Sequence, residues 1–345
     1  MTSTIDGPAG RRRSATIADI AAQAGVSVPT VSKVLNGRSD VAPETRRRVE
    51  AAIRDHGYQR TSRTTRHAPL LEVIFHELET EWALEIVRGV ERAAGRRHLA
   101  VVLSELQGRR TPGKSWIEGV LARRPLGVIA VFSDLSDAMR DQLRTRDIPF
   151  VVVDPTGEPL HDTPSVGCTN WNGGLTATRH LLGLGHRRIA VIGGPEDILC
   201  SRARMDGYRA AMDAAGVAVD PRLLSHGPFD VDEGLARARA LLAMDDRPTA
   251  IVTGNDLQAL GVYQAAREAR LHIPDEVSVV GFDDLPIARW VSPPLTTIRQ
   301  PLFAMAETAA ELVLDLAEGI PPAQPRLELA TELIVRESTG APPAG

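Results

Sequence analysis

Residues 14–60 contain two short amphipathic helical patterns joined by a glycine, and this stretch constrains the fold more than any other part of the chain. Thr16 has an acidic residue three positions on, the spacing of a helix capping box. Gly25 stands where a tight turn needs a positive φ, and Ser27 is suited to cap a second helix over Val28–Leu35. Together these features predict a helix-turn-helix, whose second helix enters the DNA major groove.

Charge is distributed unevenly along the chain. Residues 1–67 carry 12 Lys and Arg against 6 Asp and Glu, although the 345-residue chain has a net charge of −4. A basic head on an acidic body suits phosphate binding by the head alone. Residues 1–13, which contain three consecutive arginines, are expected to form a disordered basic arm, either touching DNA phosphates or simply solvated.

The run TIADIAAQAGVSVPTVSKVLNG, the following V-x-P-E-T-R-x-R-V segment and the Gly57-Tyr58 pair resemble the LacI/GalR (lactose repressor) family of bacterial transcription regulators. Further segments carry the same resemblance, namely HLLGLGHRRIAVIGG, SRARMDGYRAAM, PTAIVTGNDLQALGVYQA, IPDEVSVVGFDD and PPLTTIRQP. The resemblance implies a sequence-specific regulator, most commonly a repressor, whose operator affinity is controlled by a small molecule. The family's effector-binding core in turn resembles periplasmic sugar-binding proteins.

The second helix of the head is expected to read DNA. Val28, Pro29 and Lys33 align with the family's main base-reading positions. Val28 and Pro29 can read only shape or thymine methyls, whereas Lys33 can donate to guanine. For each polar residue here, the alternative is helix packing or solvation. The predicted DNA-binding residues are Thr16, Ser27, Val28, Pro29, Thr30, Ser32, Lys33, Asn36, Arg47, Arg63 and Arg66.

The predicted hinge, residues 61–69, departs from the family pattern. Family members carry an alanine and a leucine here, and the leucine wedges into the minor groove. Those positions hold Thr64 and His67 in this chain, while Arg63 and Arg66 still offer phosphate contacts. Whether this hinge forms an inserting helix is therefore an open question at the level of sequence.

From Leu70 onward, apolar strand-like runs alternate with amphipathic helices, and the pattern occurs twice. Alternation of this kind predicts an α/β body of two doubly wound parallel-sheet lobes, with a ligand cleft at the carboxyl ends of the strands. Combined with the family resemblance, which implies a periplasmic-binding-protein-like body, the expected fold class is an all-α helix-turn-helix head plus an α/β bilobal body. The expected lobes are about 70–167 with 297–326 and about 168–296 with 327–340, with crossings near 167–169, 295–297 and 325–328.

Polar side chains after the strands are the candidates for ligand binding. Arg204, Asn255 and Asp283 align with family ligand contacts, and such groups suit hydrogen bonding to vicinal hydroxyls. Trp82 and Phe229, expected in loops, can stack on a sugar face. The predicted effector-binding residues are Trp82, Asp154, Cys200, Arg204, Phe229, Asn255 and Asp283. Pentoses, hexoses, disaccharides, nucleosides and purines all remain open as effectors.

The alternative for each of these positions is a purely structural role. Asp256 and Asp284 can simply cap helices, and Trp82 can be ordinary core. Arg204 can form a salt bridge between the lobes, and Cys200 can be a plain buried thiol.

Other functional classes find less support in the sequence. Two cysteines without metal-ligand spacing predict a reducing, cytoplasmic setting and no metal or cofactor. No apolar run approaches the ~18 residues of a membrane span, and no nucleotide-binding or hydrolase motif argues for an enzyme. A transport solute-binding protein would lack the head. A homodimer on a palindromic operator is expected, since APPAG follows the last strand where the family's tetramer-forming helix would stand.

Overall fold

The computed structural model describes residues 17–35, 41–55, 67–78, 80–158 and 163–343. The chain divides into an N-terminal unit ending at Arg66 and a body beginning at His67. This division falls inside the predicted 61–69 linker, and the first strand of the body already begins at Ala68. The basic arm and the predicted DNA-binding residues Thr16, Asn36, Arg63 and Arg66 lie outside the described residues.

The N-terminal unit is the predicted helix-turn-helix with a third helix. Its helices are α1 (Ile17–Ala24), α2 (Val28–Leu35) and α3 (Pro43–Asp55). Gly25 has the positive φ of 62° that the turn requires, and the Ser27 hydroxyl accepts from Thr30 N at 3.4 Å. The three helices bury a common apolar core formed by Ile20, Ala21, Ala24, Val31, Val34, Val41, Val49 and Ala52.

The body consists of two sheets covered by helices, as the alternating pattern predicts. Its strands are β1 (Ala68–Phe75), β2 (Ala100–Glu105), β3 (Pro125–Val131), β4 (Phe150–Val153), β5 (Ser165–Cys168), β6 (Ile189–Gly193), β7 (Leu224–His226), β8 (Ala250–Thr253), β9 (Ser278–Asp283), β10 (Thr296–Arg299), β11 (Arg326–Leu329) and β12 (Glu332–Ile334). Its helices are α4 (Glu81–Arg96), α5 (Lys114–Arg123), α6 (Asp137–Arg144), α7 (Asn170–Gly183), α8 (Leu199–Ala214), α9 (Val231–Leu242), α10 (Asp256–Glu268) and α11 (Leu302–Ala317). Short 3-10 turns occupy Pro221–Leu223 and Pro286–Arg289.

Each lobe contains one six-stranded sheet. The order is β11-β5-β4-β3-β1-β2 in the first lobe and β12-β10-β9-β8-β6-β7 in the second. Pairing is parallel throughout except between β10 and β12, which is antiparallel. Because parallel strands end at a common edge, the loops after them converge on the space between the lobes.

The chain crosses between the lobes three times. The first crossing agrees with the prediction, because β5 of the first sheet ends at Cys168 and α7 begins at Asn170. The second and third occur later than expected: β10 pairs with β9 up to Arg299, and β11 pairs with β5 up to Leu329. The crossings thus lie at 300–301 and 330–331 rather than 295–297 and 325–328. Strand pairing, which sequence alone did not reveal, sets both positions.

Helix α11 returns to the first lobe, where it packs against α4. Their close approach depends on Gly89, since a Cβ at this position would lie 2.4 Å from the Phe303 carbonyl oxygen. No helix in the described part of the chain is long and apolar enough to cross a membrane.

Candidate ligand cleft and nucleic-acid interface

A cavity of about 640 Å³ lies between the two lobes, within the range of ~300–1,000 Å³ typical of small-molecule sites. The first sheet contributes residues that follow β1, β2, β3 and β4, and the second contributes residues that follow β6, β7, β8 and β9. The cavity brings together all seven residues that the sequence marked for ligand binding, namely Trp82, Asp154, Cys200, Arg204, Phe229, Asn255 and Asp283.

Arg204 occupies the centre of the second-lobe wall and is only 8% exposed. Its Nε donates to Asn170 Oδ1 at 2.8 Å, and its Nη1 donates to the Gly254 carbonyl at 2.6 Å. Its Cζ lies 3.6 Å from the ring centroid of Phe282, a cation–π arrangement. These contacts, rather than a salt bridge between the lobes, hold the guanidinium in place.

The close packing of α7 against α8 makes this geometry possible. A Cβ on Gly174 would lie 2.1 Å from the carbonyl oxygen of Arg204, and a Cβ on Gly207 would lie 2.1 Å from the carbonyl oxygen of Trp171. The two glycines therefore let the helices approach closely enough for Asn170 on α7 to meet Arg204 on α8.

Asp154 and Asp283 are buried carboxyl groups at the ends of β4 and β9. Burial raises the pKa of Asp154 above its usual value. Burial also raises the pKa of Asp283 to about 7, although the Arg204 charge and a hydrogen bond from Gln300 act in the opposite direction. That bond runs from Gln300 Nε2 to Asp283 Oδ1 at 2.5 Å. Both protonation states of Asp283 are therefore accessible near neutral pH.

Gln300 also links the cavity to the crossings. Its Oε1 accepts from the Cys168 thiol at 3.1 Å, so a single side chain at the second crossing bonds to the cavity wall and to the end of the first crossing strand. Thr331 N, at the third crossing, donates to Thr169 Oγ1 at 3.0 Å. The three crossings are thus tied to one another by hydrogen bonds.

Asn255 lines the cavity and also makes two hydrogen bonds that stabilise the local structure. Its Oδ1 caps α10 by accepting from Gln258 N at 2.9 Å, and its Nδ2 donates to the Phe229 carbonyl at 3.0 Å. Asp256, by contrast, does not cap a helix, which was the structural role expected as an alternative for it. It is fully buried and accepts from Leu285 N at 2.8 Å and Thr297 Oγ1 at 2.6 Å. Burial raises its pKa well above the usual carboxyl value.

Asp284 likewise serves as an ion-pair partner rather than a helix cap. Its Oδ2 accepts from Arg299 Nε at 2.8 Å, and its Oδ1 accepts from Arg336. Its carboxylate is thereby fixed beside the second crossing and is not among the groups that line the cavity.

An aromatic band crosses the cavity from one lobe to the other. Phe132, which directly follows β3, lies 6.2 Å from Trp82 and 6.4 Å from Phe229 in edge-on arrangements between ring centroids, and 5.9 Å from His76. Trp82 belongs to the first turn of α4, not to a loop as expected, because Thr80 caps that helix. Phe229 does lie in the loop before α9. Apolar faces are thus available beside the polar wall.

Sequence reasoning missed several cavity residues. Phe132 directly follows β3, has a positive φ of 46° and lines the cavity. His76, Glu77 and Arg110 follow β1 and β2, so a search of every strand end in the first lobe would have found them. Cys200 is buried, and burial raises the pKa of its thiol to about 12, so it lines the cavity as an uncharged group.

In the N-terminal unit, α2 presents the predicted base-reading residues to solvent. Val28 is 47% exposed, and Pro29 and Lys33 are exposed as well. Ser27 and Thr30 share a hydroxyl–hydroxyl bond of 2.9 Å, while Thr30 and Ser32 are partly buried. Arg47 on α3 is exposed, whereas its neighbour Arg48 donates to the Ala24 carbonyl and braces the turn. No group of acidic, histidine or cysteine side chains in the described residues can hold a metal ion.

Comparison with known proteins matches both parts of the chain. Residues 16–61 match the family described as bacterial regulatory proteins, lacI family, and residues 178–339 match the periplasmic binding protein-like domain. The chain is 36% identical to the HTH-type transcriptional regulator CelR of Thermobifida fusca, over 95% of this chain and 99% of that protein. It is 33% identical to the ribose operon repressor of Escherichia coli, over 94% of this chain and 99% of that protein.

Two solved structures support the same relationship. A CelR–cellobiose complex superposes with a TM-score of 0.72 at 33% identity, covering 94% of this chain and 99% of that chain. The lac repressor dimer bound to operator and the anti-inducer ONPF superposes with a TM-score of 0.69 at 26% identity, covering 95% of this chain and 100% of that chain.

Proposed function

Because this chain belongs to the LacI family of bacterial regulatory proteins, we propose that it is a transcriptional repressor whose operator affinity is set by a sugar bound between its lobes. The observation that carries the sugar assignment is the composition of the cavity. An arginine and two buried carboxyl groups face an aromatic band, so hydroxyls and the apolar face of a sugar ring both find partners. CelR is a relative that has been solved with cellobiose.

The cleft geometry supports control by a ligand. Asp154 and Phe132 belong to the first lobe and Arg204 and Asp283 to the second, so a sugar in the cavity contacts both. A ligand shifts a conformational equilibrium only through its different affinities for the two states. A sugar that contacts both lobes has a higher affinity for the state in which the lobes are close, because only that state allows both sets of contacts at once.

We further propose that the protein acts as a homodimer on a palindromic site and carries out no catalysis. One small head makes few base contacts, and two heads related by two-fold symmetry double them. Val28 and Pro29, exposed at the start of α2, offer apolar contact to thymine methyls, and Lys33 offers a donor to guanine.

The test is a footprint on the DNA upstream of the protein's own gene and its neighbours, repeated with a panel of sugars. We expect a protected palindrome whose protection one sugar changes. Protection that no sugar alters would contradict sugar control. Absence of protection, even at low salt where phosphate contacts are strongest, would contradict DNA binding itself.

A further inference from the structure

At three helix N-termini that border the cavity, a side-chain oxygen of the protein accepts a hydrogen bond from one of the first-turn N–H groups. Free N–H groups at such ends, together with the helix dipole, are the usual binding site for phosphate. Here Thr80 Oγ1 accepts from Ala83 N at the start of α4, Asp230 Oδ1 accepts from Glu233 N at the start of α9, and Asn255 Oδ1 caps α10. All three capping residues line the cavity, so their oxygens take the places that phosphate oxygens would need.

The α8 N-terminus is occupied in a different way. Leu199 N, the first N–H of the helix, donates to the Thr156 carbonyl of the other lobe at 2.8 Å. An anion beside Cys200, the α8 residue that enters the cavity with Arg204, would therefore lack that N–H as a partner.

The cationic side chains of the cavity are also engaged. Arg204 uses Nε and Nη1 for Asn170 and the Gly254 carbonyl, and Arg110 pairs with Asp197. His76 lies with Nδ1 3.0 Å from the Arg109 carbonyl and Nε2 3.7 Å from Glu77. The chain's two lysines, Lys33 and Lys114, are not among the cavity-lining residues.

The cavity is instead rich in acidic side chains. Glu77, Asp154, Asp230 and Asp283 all line it, and burial raises the pKa of Asp154 and Asp283. Glu77 serves neither as a helix cap nor in the crossings, and its side chain is 54% exposed. A carboxylate accepts hydrogen bonds from hydroxyl groups but repels a phosphate or another carboxylate, which has no proton to donate when ionised.

From the capped helix ends, the engaged cations and the excess of carboxylates, we infer that the cleft selects an uncharged carbohydrate and excludes phosphorylated and carboxylated sugars. Glu77 contributes negative charge to this exclusion and has no structural role as a helix cap or at the crossings. The inference rests on the proposed function, since it specifies the sugar class that the same cavity accepts.

The test is titration calorimetry of the full chain at pH 8 with matched ligands. The panel comprises glucose, ribose, cellobiose, maltose and trehalose, beside glucose 6-phosphate, ribose 5-phosphate, trehalose 6-phosphate and glucuronate. We expect a neutral sugar to bind at least ~100-fold more tightly than any anionic member, a ratio consistent with charge repulsion at several ångströms in a partly dry site. An anionic sugar that binds as tightly as the best neutral one would overturn the inference and leave sugar control intact.

A pair of charge-neutralising variants tests the role of Glu77. Glu77→Gln is expected to improve binding of anionic sugars ~3- to 10-fold relative to binding of the neutral sugar. The control Glu118→Gln removes the same charge from an exposed position on α5 outside the cavity, and is expected to alter neither. Equal effects of the two variants would overturn the assignment to Glu77. If no member of the panel binds, the proposed sugar control itself fails, and the inference fails with it.

Discussion

Arg110 and Asp197 form an ion pair that joins the two lobes at the exposed edge of the cavity. Arg110 follows β2 of the first lobe, and Asp197 precedes α8 of the second. The hydrogen bond from Arg110 lowers the pKa of the Asp197 carboxyl. With the backbone bond from Leu199 N to the Thr156 carbonyl, it gives the cleft two polar contacts between the lobes that do not depend on a ligand.

Breaking this pair is expected to change ligand kinetics more than stability. Asp197→Asn should cost less than ~1 kcal/mol of unfolding free energy, because exposed ion pairs contribute little. The bound sugar should nevertheless leave roughly 3- to 10-fold faster, since lobe opening loses one restraint. Stopped-flow displacement measures the rate. Asp206→Asn, which breaks an exposed pair with Arg209 elsewhere on the body, is the control. Equal dissociation rates for wild type, Asp197→Asn and Asp206→Asn would show that the Arg110–Asp197 pair does not restrain lobe opening.

Arg204→Lys is expected to separate sugar binding from DNA binding. Lysine keeps the charge but cannot donate to Asn170 and Gly254 at once in the fork geometry of a guanidinium. Sugar affinity should therefore fall at least ~10-fold, while operator affinity without sugar stays at the wild-type level. Calorimetry measures the sugar affinity, and DNA anisotropy measures the operator affinity. Arg209→Lys, exposed on the same helix, should match wild type in both. A sugar affinity unchanged in Arg204→Lys would remove Arg204 from the site.

Asp283 should make stability depend on pH in a defined direction. Its native pKa of about 7 lies above the ordinary carboxyl value of 3.8. The native state therefore binds a proton that the unfolded state has released, and this contribution is lost as pH rises to about 7. Asp283→Asn cannot ionise, so its unfolding free energy relative to wild type should rise between about pH 4 and pH 7, by at most ~4 kcal/mol, and then stay constant.

Urea unfolding of both proteins across pH 4 to 8 measures this difference. Asp137→Asn, an exposed helix position outside the cavity, serves as the comparison and should follow wild type at every pH. Parallel stability curves for Asp283→Asn and wild type would contradict the raised pKa of Asp283 in the native state.

Lys33 and Arg47, two exposed cations of the head, should behave differently. Lys33→Ala on α2 should relax base preference at the guanine it faces, at a cost of ~1–3 kcal/mol for the preferred site. Arg47→Ala on α3 should weaken binding to all sequences evenly and reduce the salt slope by ~1. Competition assays with single-base operator variants separate the outcomes. Equal losses of specificity in both variants would contradict these roles.

Much of the fold was predictable because its signals are local. The glycine turn after α1, the alternation of strands and helices, and the polar residues after strands all have short-range causes. Asp154 and Asp283 follow strands and were found in this way, whereas Arg204 was found by its alignment with the family; the structure places all three around one cavity. The roles predicted for them as sugar contacts remain predictions.

The remaining features depend on contacts distant in sequence. The crossings after β10 and β11 were misplaced because these strands have four residues each and too little periodicity to assign them to a sheet. Arg110 and Asp197 are separated by 87 positions, so no spacing rule connects them. Phe132 was missed because its orientation depends on a left-handed backbone conformation at the strand end. Asn255 was expected only as a ligand contact, although its cap of α10 is a local bond from Gln258 N. Its other bond, to the Phe229 carbonyl, joins residues 26 positions apart.

The most direct test of the account is a titration of the best-binding neutral sugar into the complex of the full chain with its labelled operator, followed by fluorescence anisotropy. We expect operator affinity to change at least ~10-fold at saturation, a coupling free energy of ~1.4 kcal/mol, and the Arg204→Lys complex to need a correspondingly higher sugar concentration. An operator affinity that stays the same at saturating sugar, with binding of that sugar verified by calorimetry, would contradict the claim that the cleft controls the head.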